Sequence, residues 1–491
     1  MHEAENELLS LRLSIATCAA GGEDRKRKRI FQDLNCCYEC SDDGEEDQEN
    51  LLGFLQAREN MLKLDPKRRG VEDSKGLHLI HLLLVSATAV DESKTAAASD
   101  NLAELYKSVS LIGDSIQRVA AYFADGLAAR LLTKRSPFYP VIMKEPTPEE
   151  ELSAFTDLYR ASPYYQFAHF TANQAIIDAF EEEEEHNGRC LHVIDFDVSH
   201  GFQWPSLIQS LSDKASSTNT HISLRITGFG KSLEELIETE TRLASFSQGC
   251  PNLDFEFQGL LRGSKPIGFS IRNNETVAVN LVFYLHTLGS SFQILDALKS
   301  VHLLNPSVVT LVEQEGSRTP RSFLSRFMES LHYFAAMFDS LDDCLPAESA
   351  ERLSIEKNHF GKEIRGMINC EAGQEKYGRY ERLEAWKGRM EGVGFRRAKL
   401  SSRAVSQAKL LLKIRSHCTP VEVDGRIGGG FKNGLRSLSN SMHAQNTVHG
   451  FNTQEFFSWN LAMQILLCSY ASNLPSSLTT KIRSVCVHAD D

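Results

Sequence analysis

The chain contains no apolar run approaching the roughly 20 residues that a membrane-spanning helix needs, and none is expected to cross or enter a bilayer. Its start lacks the positive charge of a signal peptide: Glu3, Glu5 and Glu7 stand there instead, and Leu8 to Ala20 is too interrupted for an apolar core. Cysteines are 11, odd in number and scattered, which excludes a disulfide framework and reads as a reduced intracellular chain. Cys37 and Cys40 form one CxxC beside Cys36, with no second pair or HxxxH nearby, so free thiols are expected there rather than zinc. Positive charge is in deficit, 53 Lys and Arg against 65 Asp and Glu, for a net charge of −12. Nucleic-acid contact must then be local or made through a partner. A Ser-His-Asp order, an HExxH and a Walker loop are all missing.

What is present is a soluble globular composition, 42% hydrophobic and 24% charged, over 491 residues: two average domains, or one large domain with extensions. Residues 1–74 read as a disordered arm. In it Arg25, Lys26, Arg27, Lys28 and Arg29 form a basic run, followed by the acidic block Asp42-Asp43-Gly44-Glu45-Glu46-Asp47. An exposed chain of like charges is what an acidic import receptor grips, so the run is expected to direct the protein to the nucleus rather than merely to be solvated.

Residues 75–180 are predicted to be mainly helical. Leu102, Leu105, Val109, Ile112, Ile116, Val119 and Phe123 follow alternating three-four spacing for three heptads, a stripe that suits either a partner surface or the domain's own core. Leu79 to Leu83 also spells LxxLL, a docking pattern, inside a helix apolar enough to be buried. From residue 190 strands and helices alternate. Strands are predicted at His192–Val198, Ser223–Phe229, Asp254–Gln258, Thr276–Leu285 and Ser307–Val312, with helices at Ser206–Lys214, Ser232–Ser247 and Phe292–Leu303. That βαβ rhythm predicts an α/β core with a parallel sheet, beside a helical segment near 320–341.

The densest stretch is LHVIDFDVSHGFQWPSL, Leu191 to Leu207. Leu191, His192, Val193, Ile194 and Asp195 form a strand with an acidic carboxyl end; Gly201 breaks the chain, and Gln203, Trp204 and Pro205 open a helix. A cofactor mouth at this position needs glycines, so that backbone N–H groups can approach the ligand closely. One glycine is offered, and Phe202 and Trp204 stand where the loop should be thin. His192 and His286 are read as hydrogen-bonded strand residues, and Glu313 and Glu315 as cleft-edge carboxylates without an evident partner.

Leu191 to Asp195 with Gly201, Gln203, Trp204 and Pro205 resembles the VHIID motif of the plant GRAS transcriptional regulators. Residues Gly76 to Leu132 and Ser232 to Phe246 are similar to that family's two leucine-rich regions. Asn305-Pro306, the Phe323–Phe338 stretch, Glu351-Arg352 with Glu356, Glu363-Ile364-Arg365, Asn369-Cys370-Glu371 and Trp386 to Arg389 follow in the family's order. The resemblance covers about residues 75 to 415 and implies a GRAS domain over 75–431, with a Rossmann-like, methyltransferase-like core (190–431) beneath a helical cap. It implies a nuclear transcriptional regulator that works as a non-catalytic scaffold, without a cofactor. Its expected partners are other GRAS proteins or transcription factors, in homo- or heterodimers, with DNA contacted indirectly or locally. The wording DFDVSHGFQWPSL resembles the branch associated with symbiosis and mycorrhiza.

One departure stands out. The family's Trp-rich SAW ending is not found in residues 432–491, where Trp459 is the only tryptophan, and the sheet's last strands are expected to be missing or replaced. Two rival functions remain: a methyltransferase-like enzyme or small-ligand sensor using Asp195 and Asp197, and direct DNA binding. The negative net charge and the lack of a helix-turn-helix or finger count against the second.

Overall fold

Runs of helix formers punctuated by Pro, Ser and Gly shape the first part of the chain into helices. The computed structural model describes residues 45–64, 74–132, 134, 136–263, 271–314, 322–370, 381–415, 419–423, 426–430, 462–463 and 468–471. In order come α1 (Glu45–Met61), α2 (Ser74–Asp91), α3 (Thr95–Ser108), α4 (Ser115–Leu132), the single turn α5 (Tyr139–Ile142) and α6 (Pro148–Ala161). Helix α6 shows how sharply the sequence sets a boundary. Thr147 and Glu150 close a capping box, Pro148 opens the first turn, and Glu149, Glu150 and Glu151 face the positive end of the helix dipole.

These helices form one compact unit, joined by residues returning from 318–377. Helix α4 is buried almost all round, as the centre of a bundle must be. The expected arm to residue 74 is corrected over 45–64: Phe54, Leu55, Ala57 and Met61 are buried, and Arg58 clamps Asp125 at 2.7 and 2.8 Å. A short apolar stripe was diluted there by the acidic residues around it. The heptad stripe is corrected too. Val109 is extended and a turn carrying Gly113 follows, so the stripe is split between α3 and α4 rather than continuous. Leu102, Leu105, Val109, Ile116, Val119 and Phe123 are buried in their own unit and Ile112 is half-buried, so these residues are core and not an open partner surface. The LxxLL leucines Leu79, Leu82 and Leu83 are likewise buried.

The second unit begins at Pro163. Its elements are α7 (Pro163–Glu182), β1 (Cys190–Asp195), α8 (Trp204–Thr218), β2 (Ile222–Gly230), α9 (Leu233–Ser247), β3 (Leu253–Leu261), β4 (Thr276–Val282), α10 (Ser291–Leu303) and β5 (Val308–Val312). The five strands are parallel, in the order β3-β2-β1-β4-β5. Strands β4 and β5 are buried at every position, as in a parallel sheet covered on both faces. One face packs Ile176, Phe180, Trp204, Leu207, Leu211, Leu236 and Leu243 from α7, α8 and α9. The other packs Ile294, Leu298 and Val301 of α10. Helices on opposite faces for opposite directions of travel make the sheet doubly wound, with its switch point between β1 and β4.

The chain then returns to the helical unit with α11 (Phe323–Cys344), α12 (Ala350–Ile355), a π-helical turn Glu356–Phe360 and α13 (Gly361–Asn369). Both expected boundaries shift as a result. The segment near 320–341 belongs with the helices, and residues 163–182 belong with the sheet. Within the helical unit Glu356, fully buried, accepts from Arg118 at 2.9 Å and Arg352 at 3.1 Å, and Arg118 also reaches Asp342 at 2.6 Å. Gly361 leaves room for the ring of Tyr122, whose Cδ1 would lie 2.7 Å from an added Cβ.

Four further strands and two helices complete the second unit: α14 (Leu383–Val393), β6 (Arg396–Ala398), α15 (Ser402–Arg415), β7 (Thr419–Val423), β8 (Arg426–Gly430) and the short β9 (Ala462–Met463). A last strand, β10 (Cys468–Ala471), runs antiparallel between β5 and β6. Residues 468–471 thus fill the position between β5 and β6. Strands β7, β8 and β9 form a separate antiparallel sheet.

Candidate functional site

The switch point is where a doubly wound sheet places a ligand, and the VHIID stretch lies there. Parallel register sets Asp195, the last residue of β1, beside Asn280 of β4. Beyond Asp195 the chain turns tightly. Ser199 and Gly201 take positive φ values of 46° and 69°, and an added Cβ at Gly201 would lie 2.8 Å from Thr239 Cγ2. Four amides of this loop are spent within the chain. Phe196 N donates to Asn280 O at 3.2 Å, Val198 N to Phe229 O at 2.9 Å, Gly201 N to Val198 O at 2.8 Å and Trp204 N to Gly201 O at 3.2 Å. A phosphate cradle needs such groups pointing at solvent.

Side chains fill what space remains. Trp204 has no exposed surface, and its indole N–H donates to Asp195 Oδ2 at 3.1 Å. Asn280 Nδ2 donates to Asp195 Oδ1 and to Gln203 Oε1, each at 3.1 Å. Gln203 Nε2 donates to Asn173 Oδ1 at 3.0 Å and to Asn280 Oδ1 at 3.2 Å, and Thr310 Oγ1 donates to Asn280 Oδ1 at 2.9 Å. Asn173 Nδ2 closes the ring on Gln203 O at 3.0 Å and Ser206 Oγ at 2.8 Å. One buried network thus ties α7, β1, α8, β4 and β5 together. Burial pushes the Asp195 carboxyl up to about 7, against the opposing pull of the Asn280 and Trp204 donors.

The remaining expected residues fall into separate clusters. Asp197 pairs with Arg262. Only Oδ2 of Asp197 is engaged: its Oδ1 is buried without a hydrogen-bond partner among the described residues, whereas both oxygens of Asp195 accept from Trp204 and Asn280. His192 is buried, with Nε2 2.9 Å from Thr227 Oγ1 and Nδ1 near Glu275 and Arg225 at 3.2 and 3.1 Å. Burial, aided by the Arg225 charge, pushes it down to about 4, so it is a neutral core residue. His286 is corrected: it sits in a 3₁₀ turn after β4 and not on a strand. Glu313 is corrected with it, since its carboxylate accepts from His286 N at 3.1 Å and lies 2.7 Å from His286 Nδ1. Leu191, Val193 and Ile194 are core, and Pro205 occupies the first turn of α8 as expected. Glu315 and Arg25 to Arg29 lie outside the described residues. Among the described residues no cluster of His, Cys, Asp and Glu is fit to hold a metal.

Sequence reasoning missed Asn173, Asn280, Thr310 and Arg262. The signal for Asn280 was available: it is the only amide in the strand TVAVNLV.

The model of the GRAS domain family matches residues 79–426. GRAS family protein RAD1 of Lotus japonicus is 35% identical over 376 residues, 73% of this chain and 72% of that protein. Protein SCARECROW of Arabidopsis thaliana is 35% identical over 401 residues, 78% of this chain and 58% of that protein. The crystal structure of SCL7 in Oryza sativa superposes with a TM-score of 0.60 at 31% identity, over 72% of this chain and 96% of that one.

Proposed function

The chain belongs to the GRAS domain family, and from that premise we propose that it is a nuclear transcriptional regulator acting as a non-catalytic scaffold. It would work by joining other GRAS proteins or transcription factors, and reach DNA through them. One observation carries the non-catalytic part: Asp195, Gln203, Trp204 and Asn280, all buried, occupy the switch point with each other's hydrogen bonds. Displacing them to admit a ligand would leave several buried polar groups unpaired, at about 1–3 kcal/mol each.

The rival reading takes the same doubly wound sheet as an S-adenosyl-methionine or small-ligand fold using Asp195 and Asp197. Calorimetry of the purified chain with S-adenosyl-methionine separates the two. No heat of binding is expected; micromolar binding that disappears in Asp197→Ala overturns the scaffold reading.

A further inference from the structure

The solvent face of α10 is apolar at both ends. Phe292 is 76% and Leu303 84% exposed, the two most exposed large hydrophobic side chains among the described residues. The helix itself is firmly set. Ser290 and Gln293 form a capping box at its start, and Ile294, Leu298 and Val301 bury its inner face completely. At 100° per residue Phe292, Asp296, Lys299 and Leu303 fall within about 60° of one another along about 16 Å of helix. Asp296 and Lys299 are exposed, and neither pairs with a charge among the described residues.

That face is complementary to itself. Laid antiparallel on a copy about a two-fold axis between Leu298 and Ala297, Phe292 meets Leu303 at both ends, and Asp296 meets Lys299 twice in the middle. The 4-3-4 spacing is that of a helix-pair seam, and a two-fold contact requires this reciprocity of residues. With one acid and one base the face carries no net charge, which favours a second copy over a nucleic acid or a strongly charged peptide.

We propose that the outer face of α10 is a homotypic contact, joining two copies of this chain through antiparallel α10 helices. The proposal deepens the scaffold reading by naming a partner, and it stands on the α10 face alone. A single helix pair falls below the roughly 1,600 Å² of a standard interface, so the dimer is weak, with a dissociation constant on the order of 10 to 100 μM.

Sedimentation velocity of the full chain from about 1 to 200 μM tests it, with circular dichroism as the folding control. Wild type is expected to shift from monomer to dimer across that range. Lys299→Asp sets two aspartates against each other at each crossing and weakens the dimer by about tenfold, and Asp296→Lys does the same with lysines. The double variant D296K/K299D restores both pairs and returns affinity to within about threefold of wild type. Phe292→Ala with Leu303→Ala leaves a folded monomer. Wild type that stays monomeric at the top concentration overturns the proposal, and so does a double swap as weak as either single change. A monomer that still binds a heterologous partner ends the α10 proposal and leaves the scaffold reading standing; S-adenosyl-methionine binding by a dimer does the reverse.

Discussion

Replacing Asn280 by alanine tests whether the switch-point network holds the sheet together. Four hydrogen bonds go at once: two donated by Asn280 to Asp195 and Gln203, and two accepted from Gln203 and Thr310. Gln203 keeps Asn173, and Thr310 keeps a contact to Val279 O at 3.4 Å, so neither is wholly orphaned. At about 1 kcal/mol net per bond the expected loss is about 3 to 4 kcal/mol. The loss also depends on pH. The folded carboxyl of Asp195 titrates at about 7 against an ordinary 3.8, so the native state holds a proton that the unfolded chain releases. Its contribution to stability is full below the unfolded value and is lost as pH rises through 7. Asn280 donates to the ionised form, so removing it raises the folded value further, and Asn280→Ala costs more at pH 8.5 than at pH 5.5. Urea unfolding followed by tryptophan fluorescence reads the effect, since Trp204 and Trp386 are both buried in this unit. Hydrogen exchange along β1 and β4 localises it. A loss below about 1 kcal/mol, or one equal at both pH values, refutes the assignment of the network as a buried structural unit.

Three shorter tests probe other sites. Gly201→Ala forces a side chain into a left-handed φ of 69° and against Thr239, and is expected to destabilise the sheet unit by at least about 1 to 2 kcal/mol in urea melts. Glu356→Ala leaves buried Arg352 without its carboxylate and Arg118 with Asp342 alone, and is expected to cost about 3 kcal/mol; a thermal melt unchanged within experimental error refutes the pairing. Alanine at Arg25, Lys26, Arg27, Lys28 and Arg29 is expected to leave a fluorescent fusion of the full chain in the cytoplasm, and unchanged nuclear accumulation removes the import assignment.

The alternation of strand and helix from residue 190 was legible because period-two and period-3.6 patterns are local properties of a chain. Strand β1 was expected at His192–Val198 and runs Cys190–Asp195; the difference comes from the turn that Ser199 and Gly201 impose early. What a core packs against is not local. The Phe323, Phe327, Leu331 and Phe334 stripe announces a helix equally well whichever unit receives it, and the structure assigns it to the helices. Leu102 to Phe123 shows the same limit, since identical spacing suits a partner seam and a private core. The network failed to show for a related reason: Asn280 lies 85 positions from Asp195, and only strand register brings them together.

The switch point and α10 point to one division of labour. In a ligand-binding sheet the crevice beyond β1 stays open because glycines keep its wall thin; here Phe196, Val198, Gly201 and Trp204 donate their amides inward, and Trp204 and Gln203 plug the opening. A crevice filled this way fixes β1, β4, α7 and α8 to each other through hydrogen bonds among their own side chains. The outer helices then present faces of fixed geometry. A contact as narrow as Phe292, Asp296, Lys299 and Leu303 needs that rigidity, because an ordering cost at the helix would be set against only a few pairings. If the network is loosened by Asn280→Ala, self-association through α10 should weaken even though α10 itself is untouched.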